Sequence, residues 1–250
     1  MIAASLSALV HGVVAAPAAA LIRDLDDVFG LGAVQVHVQA DLALVTSPIP
    51  ASLDLAALFN DQGRVAQLAV AHHDILAEIC SSVDVVPVRL GSVISGERTA
   101  QALIRDQGDR FRNTLRLIAG AVEFSVIMTD GIPRPVAAPK PSDGRSYLRS
   151  RSVVASEVHA RPQRIEATIA AVAATLRLDT RAEDVRPPRS EQGTPQRRFD
   201  TTYLVERDHV AAFLQRCSTL PAQLADANLV FAVRGPWPSY RLAGELEATP

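Results

Sequence analysis

The chain has 250 residues, enough for one large domain or two of ordinary size, with a core that needs no disulfides. Its 25 basic and 27 acidic residues leave a formal net charge of −2, which removes the electrostatic case for nucleic acid or an anionic membrane surface. Hydrophobic residues make up 48% and aromatics only 4%, with no uninterrupted apolar run of membrane-spanning length, so a cytoplasmic globular protein is expected.

The opening stretch MIAASLSALVHGVVAAPAAA lacks a basic start and runs into Asp24, Asp26 and Asp27. It reads as a buried strand, residues 2–11, and a helix start rather than a secretion signal. Residues 33–40 alternate as a half-buried strand does, and a second strand, 42–47, follows at once across a tight turn at Asp41. Leu55, Leu58, Val65, Leu68, Ile75 and Ile79 recur at helical spacing over 54–81, with Gly63 a candidate break. Residues 83–90 are strand-like, but Pro87 makes the strand an edge or a bulged one. Ala100, Leu103, Ile104, Phe111, Leu115 and Ile118 trace one helix face, with Ser95 as N-cap and Gly120 as stop. A strand returns over 121–129.

DGIPRPVAAPKPSDG then breaks the pattern with four prolines and marks a linker. The expected organisation is α+β: a domain over 1–130, a Pro-rich linker over 131–144 and a second domain over 145–250. That second half reads as a long helix over 145–178 interrupted by Pro162, a polar loop over 185–198, a strand over 199–206, a helix over 208–217 and a strand over 229–235. Gly235, Pro236, Trp237, Pro238 and Tyr240 follow as a stiff extended strap, since each proline fixes its own φ and biases the residue before it. The only tryptophan of the chain sits there. It reads either as a ring packed on the second sheet with Pro236 and Pro238 ending the strand, or as an exposed docking ring.

Chemistry finds little foothold. GLGAVQ has two glycines of a dinucleotide fingerprint but precedes a strand, the wrong order for phosphate binding. Adjacent His72 and His73 diverge on a helix and cannot share a metal, so a capping or helix-surface role is expected. His11 and His37 fall in strands as satisfied polar groups, and His159 and His209 on helix surfaces. Cys80 and Cys217 form no metal-binding pair and suit a reducing compartment. Glu123 is the acid of interest, with Arg89 as its expected ion-pair partner. The basic clusters GRSYLRSR and RPQR read as solvated helix faces. No catalytic, cofactor or metal site is expected, and no enzyme activity.

Three stretches in order carry a resemblance: VVPVRLGSVIS (85–95) with GAVEFSVIM some thirty residues on, YLRSR (147–151), and YLVERDHVAAFLQRC (203–217) leading to GPWPSYRLA (235–243). Together they resemble the gas vesicle protein F/L family. The likeness covers nearly the whole chain and does not separate the F type from the L type. Leu90 and Ser92 depart from the family's usual Phe and Thr, and IAASLSAL lacks the usual aromatic strand. The resemblance implies two α+β domains, the first a modified ferredoxin-like sandwich, compatible with a β-α-β-β-α-β plan plus an extra helix and strand. It implies a cytoplasmic, vesicle-associated accessory protein without catalytic activity. Its partners would be the hydrophobic wall protein and other accessory proteins, and it would assist nucleation or assembly or serve as a minor gas-facing component. Pro87, Arg89, Gly91, Glu123, Tyr147, Gly235, Pro236, Trp237, Pro238 and Tyr240 would be its structural or partner-binding motif. The bent strand at 85–91 and the apolar seam from Val154 to Leu176 are the candidate surfaces. The alternative is a small-molecule regulatory module of the same fold, with a pocket lined by Arg89, Glu123 and His73.

Overall fold

The computed structural model describes residues 7–22, 24–131, 144–187 and 195–244, with the backbone alone for 144–159. Most of the Pro-rich stretch 131–144 therefore lies outside the described residues. Cα packing divides the chain into two compact units, residues 1–123 with 236–250, and residues 124–235. The strap thus belongs with the first unit, where the linear reading places it in a domain over 145–250.

The first unit is built on a sheet in the order β2-β3-β1-β4, with β5 also pairing to β1. The strands are β1 (Ala8–Ala15), β2 (Gln35–Gln39), β3 (Leu42–Pro48), β4 (Val85–Pro87) and β5 (Val93–Ile94). The central pair, ALVHGVVA and LALVTSP, is buried almost throughout, because a strand covered on both faces reads as a continuous apolar run. β2 and β3 join at Gln39 and Leu42, and Ala40 takes a φ of 55° to close the tight turn expected at Asp41. Between β1 and β2 stand a short 3-10 helix, Ala16–Leu21, and an isolated bridge between Asp26 and Ala33. Three-residue β4 lies at the end of the sheet order, where Pro87 removes no ladder bond that an inner strand would need.

Two helices precede β4, α1 (Leu55–Asn60) and α2 (Gln62–Ser82). The break falls at Asp61 rather than Gly63. Asp61 ends α1, its own N–H donating to the Leu58 carbonyl, and caps α2 through a carboxylate that accepts the N–H groups of Gly63 and Arg64. A side chain able to cap decides the boundary more strongly than a flexible glycine. Helix α3 (Glu97–Ile118) begins at Gly96 with a φ of 93°. Ser95 does not cap it; its N–H instead donates to Thr99 Oγ1.

The strand β1 carries a bulge between Val10 and Gly12, where its register against β3 shifts. A bulge turns two successive residues toward one side and reverses the alternation beyond it. Ala8, Val10 and Val13 accordingly share one core cluster with Ala100, Ile104 and Phe111 of α3. His11 and Gly12 both face α2. A Cβ at Gly12 would stand 2.8 Å from the Val86 carbonyl oxygen and 3.1 Å from Leu76 Cδ2, so only glycine lets α2 and β4 approach. The sheet lies between α2 on one face and α3 on the other.

The second unit holds a four-stranded sheet in the order β7-β8-β6-β9: β6 (Ala121–Asp130), β7 (Thr180–Arg186), β8 (Arg197–Glu206) and β9 (Leu229–Trp237). The long helix α4 (Gly144–Leu176) runs through Pro162 as one continuous helix, and α5 (Val210–Leu224) packs against it. Ile165, Val172 and Leu176 of the α4 seam are buried. Phe213 of α5 meets Phe124 of β6 at 5.1 Å and Tyr203 of β8 at 6.1 Å between ring centroids. Strand β7 is an addition that the sequence reading did not contain, and α5 runs seven residues past Cys217. Strand β9 continues through Pro236, so Pro236 does not end it. As an outer strand next to β6 alone, β9 can carry a residue without an N–H. Both sheets are antiparallel and the fold is α+β, as expected.

Candidate functional site

Two clusters in the first unit gather the polar and aromatic residues of interest. The first runs through the interior. Ser47 Oγ lies 2.8 Å from His11 Nε2, and His11 Nδ1 lies 2.9 Å from His72 Nδ1. Ser47 Oγ also accepts the Val28 N–H at 3.1 Å. The His72 ring bonds the Val88 backbone in the sense that favours the charged imidazole, which identifies the carbonyl as acceptor. With Nδ1 facing His11, the donor is His72 Nε2–H. One proton arrangement then satisfies every atom: Ser47 O–H donates to His11 Nε2, His11 Nδ1–H donates to His72 Nδ1, and His72 Nε2–H donates to the carbonyl. Both rings are neutral in this arrangement. Burial, then the neighbouring His72, pushes the His11 imidazole down to about 3. Burial lowers His72 to about 4, against the carbonyl bond that favours its charged form.

A serine on the Nε2 of a histidine whose Nδ1 is held by a third residue has the connectivity of an acyl-transfer relay. This chain cannot work as one. Ser47 and His11 are both 0% exposed, so no carbonyl can reach the hydroxyl. An imidazole titrating near 3 is also too weak a base to take a proton at neutral pH. The expectation of a surface or capping role for His72 is corrected here. Leu68, His72, Ile75, Leu76 and Ile79 form one buried stripe of α2, and the ring is inside because its position is on that stripe.

The second cluster holds the strap. His73 Nδ1 lies 2.8 Å from the Tyr240 hydroxyl, and its ring meets Trp237 edge-on at 5.2 Å. The Glu123 carboxylate, almost fully buried, accepts the N–H of Arg241 at 3.1 Å and of Leu242 at 2.6 Å. Ala243 completes the strap by entering the core cluster of α3. Gly235, with a φ of 138°, turns the chain into this segment, a conformation that side chains rarely adopt. The expectation that Trp237 packs on the second sheet is thereby corrected: its ring contact is with α2. Two prolines hold the segment extended, but the landing point is set by His73 and Glu123, more than a hundred residues away in sequence. Glu123→Ala would leave two backbone N–H groups without their carboxyl acceptor. A loss of about 2–3 kcal/mol is expected in urea unfolding, with Glu123→Gln retaining part of it through its amide oxygen.

The remaining motif residues are dispersed. Pro87 is buried in β4 opposite Gly12. Arg89 is exposed and its carbonyl accepts the Ser92 N–H. Gly91 has a φ of 93°. The side chain of Tyr147 lies outside the described residues, as do those of Val154, Val158 and His159. The bent strand at 85–91 offers little open apolar surface, since Val85, Val86 and Val88 are buried.

Metal and nucleophile chemistry fares no better among the described residues. Glu206, Asp208 and His209 come close enough to share an ion, but they are solvent-facing and Glu206 already pairs with Arg181 at 2.9 Å. Cys80 and Cys217 are buried and form no disulfide, and burial pushes the Cys217 thiol up to about 11, away from a reactive thiolate. An open cleft of about 460 Å³ lies in the second unit, lined by Asp130, Arg161, Ile165, Glu166, Gln196 and Arg198. A second, about 550 Å³ and mostly apolar, lies in the first unit between Ala15, Pro17, Leu21, Val83, Leu115 and Ala119. Neither is lined by Arg89, Glu123 or His73.

Fold and clusters define an α+β protein of two units in which the most deeply buried polar side chains hold the structure together rather than facing a substrate. The chain belongs to the gas vesicle synthesis protein GvpL/GvpF family, whose model matches residues 8–242. Gas vesicle protein L of Streptomyces sp. (strain CB03234) is 26% identical over 227 residues, covering 83% of this chain and 82% of that one. Gas vesicle protein F of the same strain is 27% identical over 221 residues, covering 83% and 86%. The crystal structure of GvpF from Anabaena sp. PCC7120 superposes with a TM-score of 0.69 at 14% identity, covering 96% of this chain and 97% of that one. GvpF from Microcystis aeruginosa gives 0.68 at 15%, covering 96% and 99%. The protein therefore has a gas vesicle related role. No helix of the described residues is long and apolar enough to cross a membrane.

Proposed function

We propose that this chain is a cytoplasmic accessory protein of gas vesicle formation that binds the hydrophobic wall protein and assists its nucleation or assembly. The observation that carries the reading is the family match from residue 8 to residue 242, which spans both units. Physical chemistry supports the same role. Subunits of a water-excluding wall expose apolar strands that aggregate before they assemble, and a binder shields them by offering apolar surface of its own. The first unit has such surface: Leu21 is 70% exposed at the rim of the apolar cleft, and Val70 of α2 is 61% exposed. The buried His–Ser chain and the strap then serve as framework, and the motif residues Pro87, Arg89, Gly91, Tyr147 and Gly235 to Tyr240 shape the binder rather than perform chemistry. Co-expression with the wall protein tests the reading. The wall protein is expected to stay in the supernatant and to co-purify with this chain; sedimentation of all wall protein, as in its absence, would sink the proposal.

A further inference from the structure

Helix α2 is pinned by two successive histidines pointing different ways. His72 reaches inward to His11 at the β1 bulge and to the Val88 backbone. His73 reaches to Tyr240 and Trp237 of the strap. We infer that the Ser47–His11–His72 chain is a proton-operated latch: proton uptake there loosens α2 from β1 and thereby releases the strap from His73.

The geometry has no place for a second added proton. With His11 Nδ1–H already pointing at His72 Nδ1 across 2.9 Å, a proton on that nitrogen would oppose two N–H groups. A proton on His11 Nε2 would face the Ser47 hydroxyl, whose oxygen is also engaged by the Val28 N–H. Rotating that hydroxyl would accept one charge, but in a site with no solvent. Strand β3 contributes Ser47, the residue after β4 the Val88 backbone, and α2 the ring of His73, which disfavours charge on His72. The loop bearing Val28 brings Asp27, whose Oδ1 accepts the Phe29 N–H and whose buried Oδ2 has no hydrogen-bond partner among the described residues. Two charges so close repel, and the relief open to them is separation of α2 from β1. Leu76, which rests over Gly12, moves with the helix, and His73 moves away from Tyr240. Glu123 holds the far end of the strap through Arg241 and Leu242, so release begins at Tyr240 and Trp237.

Trp237 is the only tryptophan and lies against His73, which makes it a built-in reporter. The intact chain is titrated from neutral to acidic pH while Trp237 emission and the histidine ring NMR signals are followed. Emission is expected to change below about pH 5 in a step taking up about two protons, with both buried rings unresponsive above it. His73→Gln cuts the link between α2 and the strap, so proton uptake at the two buried rings remains in the NMR signals while the Trp237 emission step is lost. His72→Gln, whose amide still offers an acceptor and a donor, cuts the uptake to about one proton and moves the step to lower pH. An emission step unchanged in His72→Gln, or kept at full size in His73→Gln, overturns the latch. Should His72→Gln fail to fold, the unaltered protein decides. Neutral rings protonated at His11 Nδ1 and His72 Nε2 support the latch, and either ring titrating near its ordinary value in the folded state overturns it.

Discussion

Phe213→Ala is expected to lower the stability of the second unit by about 3–5 kcal/mol, the cost of deleting a large aromatic from a core that cannot collapse onto the gap. Phe213 is 0% exposed and joins α5 to the sheet, with Phe124 on β6 and Tyr203 on β8 as its neighbours. Tyr203 deepens the effect: its hydroxyl is buried without a hydrogen-bond partner, and burial raises its pKa, so the ring is held by packing alone. Phe213→Leu, which keeps most of the apolar volume, should cost less than half as much. Denaturant unfolding followed by far-UV circular dichroism measures both. Equal losses for the two variants would show that the aromatic stack is not what joins α5 to the sheet.

Acid should destabilise the first unit by a similar amount. His11 and His72 titrate far below the ordinary histidine value of 6.5 in the folded chain, and near that value when unfolded. Their contribution is complete above pH 6.5, where both states are neutral. As the pH falls below 6.5, the unfolded chain binds protons that the folded chain refuses, so stability is lost down toward the folded values near 4 and 3. Each ring loses about 1.4 kcal/mol per pH unit in that window, about 4 kcal/mol for the pair by about pH 5. Urea midpoints collected across this range check the slope. A His11→Gln and His72→Gln double variant should flatten it, and an unchanged slope would assign the acid sensitivity to other groups.

The sequence made the element order of the first unit readable because its signals are local. Residues 33–40 and 42–47 alternate or run apolar, and their two-residue turn leaves one antiparallel register. His72 was legible too, in a less direct way. The helical spacing runs Leu68, then Ile75 and Ile79, and the vacant place at i+4 from Leu68 is His72 itself; a stripe position occupied by histidine marks a buried ring. Its partner was not legible, since the bulge that turns His11 toward α2 is set by pairing across three strands. β7 escaped notice for a different reason. TRAEDVR is an outer strand whose charges are matched to neighbours, Arg177 with Glu183 and Arg181 with Glu206, so it shows no apolar alternation. α5 passes Pro221 because Leu220 and Leu224 are buried, and packing outweighs one missing backbone bond. The strap showed its stiffness in two prolines, while its destination depended on His73 and Glu123. Local chemistry fixes how that segment is shaped, and only the tertiary fold fixes where it lands.

The most direct measurement of the proposed role uses purified components. Wall protein diluted from denaturant into buffer scatters light as it aggregates, and this chain is added in increasing molar ratio. Scattering should fall progressively and saturate near a fixed stoichiometry, with the two proteins eluting together afterwards. Aggregation that proceeds at the same rate with or without the folded chain would contradict the account.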